Sequence, residues 1–121
     1  MRFINLLRRV LKKLNEKILT LLGFAAKAGK LSFGFESVVS SVKAGKARLA
    51  VIAEDVSAKT TKEIIFHCNK ASVKAISLNG IDIKTLSHAV GRKCGVISVN
   101  DSGFANTLLK EHTQGGNAND E

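Results

Sequence analysis

The sequence predicts an α/β layered domain with helices on both faces of a small sheet. Stretches with apolar residues every third or fourth position alternate with short, continuous apolar runs, the patterns of amphipathic helices and buried strands. The chain has 121 residues, one domain's worth, and its 45% hydrophobic content suffices for a proper core. Proline is absent, which excludes a Pro-rich linker or ligand segment, and no repeat of solenoid period occurs.

Phe3, Leu7, Val10, Leu14, Ile18, Leu21 and Ala25 share one helical face, so the first 25 residues read as a helix that stops near Gly29. Glu36–Lys43 is a short helix with Val38, Val39 and Val42 on one side, ending near Gly45. Leu49–Ala53 is an unbroken apolar run, short enough for a strand buried on both faces. Ser57 suits the cap of a helix through Lys70, with Ile64, Ile65 and Cys68 facing inward. Val73–Leu78 is the second strand, Asn79-Gly80 a turn, and Asp82–Val90 a helix. Gly95–Val99 is the third strand. Ser102 then caps a last helix with an apolar stripe of Phe104, Ala105 and Leu108, followed by a polar tail at 113–121 that is expected to fray.

Charge speaks to partners. The net charge is +9, and residues 1–30 carry eight Lys/Arg against one acid, Glu16. Such polarity points to nucleic acid, an anionic membrane surface or an acidic protein. Four charges within residues 8–13 argue against a transmembrane span there, and no apolar segment with a small-residue cleavage site suggests a signal peptide. The acid-poor first helix could mimic a transit peptide, but its periodicity runs straight on into the domain. Cys68 and Cys94 form no close-spaced pair and read as reduced, buried thiols of a cytoplasmic protein.

Catalytic signals are weak. His67 and Cys68 are adjacent, so on a helix they point about 100° apart and form no nucleophile–base pair. Three scattered histidines offer no zinc spacing, and neither GxGxxG after a strand nor GxxxxGK[ST] occurs. Glu54 and Asp55 are consecutive, a poor general acid/base pair, and fit a role at a helix start better. An enzyme is not expected, and neither is a cofactor or a metal site. The segment Lys27–Glu36 says more. Gly34 precedes a helix whose first N–H groups are unpaired, with Lys27 and Lys30 before it, and Glu36, Ser37 and Ser40 lie opposite the valine face. That arrangement suits a phosphate backbone and base edges; an ordinary glycine turn before a solvated helix is the plainer reading. Phe33 and Phe35 fit core packing or a hydrophobic staple better than base stacking.

Leu22–Lys30, Gly34 with its short helix, and Val42-Lys-Ala-Gly-Lys-Ala-Arg-Leu-Ala-Val-Ile-Ala-Glu-Asp-Val56 together resemble the kink-turn RNA-binding ribosomal protein family, of the seven-Ae and thirty-e type. Within that family the sequence resembles the small bacterial YlxQ branch. Asn69–Lys74, Leu86–Gly91 and Asn100–Ala105 agree with it, so the likeness spans about residues 16–110. The resemblance implies an α/β/α sandwich around a four-stranded mixed sheet, with the additional strand at Lys30–Phe33. It implies binding of structured RNA, ribosomal or from another ribonucleoprotein, without catalysis. The implied surface combines Gly34, Glu36, Ser37 and Ser40, then Val56 and Ser57, then Arg92, Lys93, Cys94, Gly95 and Val96. Lys27, Lys30, Lys43, Lys46, Arg92 and Lys93 would neutralise phosphates, making affinity salt-dependent.

This chain departs from the family where kink-turn binders carry Asn-Glu-x-x-Lys along the second helix; those positions hold Glu36, Ser37 and Ser40. Ser87 also replaces a usual turn glycine. A protein-interaction adaptor that keeps the fold without kink-turn specificity is therefore the alternative function. Scarce aromatics, six Phe with no Tyr or Trp, count against a single-strand stacking platform. Residues 1–15 form a basic amphipathic extension to the RNA-binding domain at 16–112. That extension fits an RNA-contacting arm, a helix packed on a protein partner or a second copy, an interfacial membrane helix, or a solvated continuation of the domain helix. Membrane contact is not expected.

Overall fold

The computed structural model describes the backbone of residues 2–116 and the side-chain surroundings of residues 4–113. The element order is α1 (Arg2–Lys27), β1 (Leu31–Phe33), α2 (Phe35–Lys43), β2 (Leu49–Ile52), α3 (Ala58–Lys70), β3 (Lys74–Ser77), α4 (Ile83–Val90), β4 (Val96–Val99) and α5 (Ser102–Gly116). The strands form one mixed sheet in the order β1-β4-β2-β3. The pair β2–β3 is parallel, while β1–β4 and β2–β4 are antiparallel. The short additional strand implied at Lys30–Phe33 is β1.

Strand alternation divides the core into two layers. Leu49 and Val51 of β2, with Ile97 and Val99 of β4, face the cluster built by Ile18 and Leu22 of α1, Leu86 and Val90 of α4, and Ala105 and Leu108 of α5. Ala50, Ile52 and Val96 face Val38 and Val42 of α2 and Ile64 and Cys68 of α3. All four residues of β2 are buried, which is why that run reads as continuously apolar. Both sandwich layers are thus helix on sheet, the α/β/α architecture expected.

Local chemistry sets the boundaries. Ser57 accepts a hydrogen bond from the Thr60 N–H at 3.2 Å and starts α3, and Asp82 accepts from Thr85 N–H at 2.8 Å and starts α4. Gly91 closes α4 in the left-handed conformation, φ 80°. Ser102, read as a cap, is instead the first residue of α5: Asp101 holds the capping position, its carboxylate accepting from Phe104 N–H at 2.9 Å. Ile65 does not face inward but is 38% exposed, because one residue's step around α3 carries it off the face that buries Ile64.

The apolar face of α1 is also only partly covered. Ile18, Leu22 and Ala25 are buried and Leu14 and Leu21 partly so, but Leu7 and Val10 are nearly half exposed because α1 runs beyond the elements that cover it. The surroundings of Phe3 lie outside the described residues. At the other terminus α5 continues to Gly116, past the expected boundary at 112, and tail residues 117–121 lie outside the described residues.

Candidate nucleic-acid interface

Three segments meet at one end of the sheet. Gly34 N–H donates to Val96 O at 2.9 Å, joining the start of α2 to the start of β4. Ala53 N–H donates to Gly95 O at 2.9 Å, joining the end of β2 to the loop before β4. Val56 then packs so closely over Gly95 that a β-carbon there would lie 2.9 Å from the Val56 methyl group, so residue 95 has no room for a side chain. Gly34 has φ 89° and ψ 161°, a conformation that only glycine adopts readily, and no side chain caps the helix it opens. The leading N–H groups of α2 therefore have no side-chain partner, at a helix start tied to the start of β4.

Arg92 supplies the charge at this junction. Its guanidinium carbon lies 4.8 Å from the Phe33 ring centroid, a cation–π contact that holds the cation above the end of β1. Lys93 is exposed beside it. The loop itself is clamped from α4: Ser87 Oγ accepts from Cys94 N–H at 3.0 Å and donates to Cys94 O at 3.1 Å. The Cys94 thiol is buried and donates to Arg92 O at 3.3 Å. Burial pushes this thiol up from its ordinary value despite the opposing pull of Arg92, and burial raises Cys68 likewise. Sequence reading missed the Ser87 clamp, although Ser87 stood out as the residue in a glycine position.

Glu54 and Asp55 brace the same end. Glu54 Oε1 accepts from Gly80 N–H and Asp55 Oδ1 from Ile83 N–H, each at 2.7 Å. Asp55 thus serves the start of α4, and Glu54 the turn that precedes it. Asp82 is held below the usual carboxylate range, chiefly by its hydrogen bonds to Thr85.

The site residues proposed from sequence fall at two ends of the sheet and along the helix face between them. Gly34, Glu36, Ser37, Val56, Ser57, Arg92, Lys93 and Gly95 gather at this end of the sheet. Cys94 and Val96 are also there, but their side chains are buried and only their backbones can contribute to the surface. Lys30 and Lys46 lie at the opposite end. Lys30 O accepts from Asn100 N–H, beyond the far end of β4, and Arg48 N–H, two residues after Lys46, donates to Val99 O. The four-residue path along β4 from Val96 to Asn100 spans about 13 Å. Lys27, at the end of α1, belongs with them. Ser40 and Lys43 connect the two ends, continuing the exposed face of α2 from Glu36 at successive helical turns.

Beneath that face a polar chain fixes α2 to the sheet. Asn100 Nδ2 donates to Ser32 Oγ at 3.0 Å, Ser32 and Ser41 hydroxyls are 2.6 Å apart, and fully buried Ser98 donates to Asn100 Oδ1. Among the described residues, no group of three His, Cys, Asp or Glu is placed to hold a metal, and no helix is long and apolar enough to cross a membrane.

Comparison with known proteins agrees with this architecture. Residues 16–109 match the Ribosomal protein L7Ae/L30e/S12e/Gadd45 family. The chain is 32% identical to the RNA-binding protein YlxQ of Bacillus subtilis over 92 residues, covering 74% of this chain and 88% of that one. It is 31% identical to the large ribosomal subunit protein eL30 of Dictyostelium discoideum, covering 80% and 88% respectively. A solved protein of unknown function from Bacillus halodurans C superposes with a TM-score of 0.74 at 31% identity, covering 78% of this chain and 95% of that chain. The fold is shared with the Giardia lamblia 15.5kD RNA binding protein, TM-score 0.70 at 19% identity over 84% of this chain and 87% of that one. The chain belongs to the Ribosomal protein L7Ae/L30e/S12e/Gadd45 family.

Proposed function

We propose that this protein is a cytoplasmic, non-catalytic RNA-binding module that takes structured RNA, ribosomal or from another ribonucleoprotein, at the sheet end bounded by Gly34, Val56 and Arg92. The observation that carries this reading is the junction itself. Helix N–H groups with no side-chain cap, a cation fixed on Phe33 and a side-chain-free glycine floor meet there, supported on two layers of core. Backbone donors and Arg92 would receive phosphates, and Lys93 would add to the attraction. Glu36 complements the positive N-terminus of α2 and stands where it would repel a phosphate, so it is better placed to accept from a base donor.

One observation favours a second reading, the adaptor. The exposed face of α2 presents Glu36, Ser37 and Ser40, with no cation before Lys43. Recovery of partners from lysate with and without ribonuclease separates the two readings. Loss of the partners on digestion is expected for the RNA reading, and their full survival would establish the adaptor instead.

A further inference from the structure

The helix that begins inside the junction carries a second feature, on the side away from the core. Lys59, Lys62, Phe66 and Lys70 are spaced by three, four and four residues, so they form one row along α3. All four are exposed. Phe66, 57% exposed, points opposite the buried Ile64 and Cys68, and the Lys70 ammonium lies 5.3 Å from its ring centroid. One exposed aromatic is ordinary on a protein surface. Phe66 differs in its setting, a row of cations that begins two residues after Ser57 and runs down the outside of α3.

We propose that this row extends the RNA interface: a single-stranded segment leaving the structured RNA at the junction follows α3, its phosphates on Lys59, Lys62 and Lys70 and one base stacked on Phe66. The proposal rests on the RNA reading above. Charge selects a polyanion, since the row has three cations against two exposed acids beside it, Glu63 on the same helix and Glu54, which lines a surface cavity with Lys62. The exposed ring, which meets the Lys70 ammonium and the edge-on His67 ring at 5.4 Å, selects unpaired bases, because a duplex keeps its base faces covered while a single strand offers them. Length agrees as well. The eleven helical rises from Lys59 to Lys70 span about 17 Å, room for a short run of nucleotides.

The test measures full-length protein against three RNAs: a structured kink-turn duplex with blunt ends, the same duplex with a single-stranded tail of about eight uridines, and the free tail. The tail is expected to tighten binding by at least about five-fold, the lower range for one base stacked on an aromatic ring. Phe66→Leu and Phe66→Ala should abolish that gain, Phe66→Trp should retain it, and none should change affinity for the blunt duplex. Lys62→Ala and Lys70→Ala should each reduce the salt slope for the tailed RNA by about 0.7. A blunt duplex bound through Arg92 with no gain from the tail, or a gain that survives Phe66→Leu, overturns the α3 proposal and leaves the RNA reading standing. Failure of all three RNAs to bind overturns the α3 proposal, the RNA reading falling with it if lysate partners survive ribonuclease, and ribonuclease-resistant protein partners lost on Phe66→Ala would reassign the row to a protein.

Discussion

Ser87 holds both the N–H and the C=O of Cys94, so one hydroxyl fixes the middle of the loop that presents Arg92. Ser87→Ala leaves two partly buried backbone groups without that partner, a loss of about 1–3 kcal/mol for each left unsatisfied. Thermal denaturation should show a lower midpoint, and amide exchange should show Cys94 deprotected. The cysteines give a second expectation at this scale. Both thiols are buried with pKa values raised by desolvation, so the folded protein favours the neutral form. Their contribution to stability is present below the ordinary thiol pKa of about 8.5 and is lost as pH rises through the raised values. Denaturant midpoints should therefore fall in alkaline buffer, and alkylation at neutral pH should be slow until the protein unfolds. Burial of both cysteines was legible in sequence because a free cysteine behaves as a small hydrophobe, and Cys68 also shares a helical face with Ile64. The Ser87 clamp was not, since it depends on a loop folding back over a helix seven residues earlier.

Individual helices and strands were legible wherever their signal is local. Ser57 and Asp82 announce their helices through capping groups three residues before the amides they bind. Asp101 and Ser102 are both good caps, and only the hydrogen bond to Phe104 selects the aspartate. The strand β1 has three residues, too few for any period, and it was reached through family resemblance. Two expectations belong to α2. Gly34→Ala meets no steric neighbour within 4 Å, so its cost is the backbone strain of φ 89° alone, about 1–3 kcal/mol, read as a lower denaturation midpoint. Ser40→Lys places a cation at an exposed position and should strengthen binding to a kink-turn duplex more than to a straight duplex of equal length. Equal strengthening of both would remove α2 from the base-reading part of the interface. Ile4, Leu6, Leu7 and Val10 of α1 are about half exposed, so removal of residues 2–10 should change the unfolding free energy from denaturant titration by no more than about 0.5 kcal/mol.

At the scale of the whole molecule the +9 charge is not one patch. The strand order β1-β4-β2-β3 sends Lys27, Lys30 and Lys46 to one end of the sheet and Arg92 and Lys93 to the other. No local pattern could have revealed that division, because it follows from which strands pair across forty and more residues of sequence. The basic composition pointed to a polyanion; the antiparallel pairing of β4 with β1 and β2 decides which cations can act together. The measurement that tests this account most directly compares Arg92→Ala/Lys93→Ala with Lys30→Ala/Lys46→Ala for a structured RNA across a salt series. If RNA sits on the Gly34–Val56–Arg92 junction, the first pair should lose affinity and lower the salt slope by about one for each phosphate contact removed, while the second stays near the unmodified protein. Loss of binding in the second pair with the first unchanged would contradict the account.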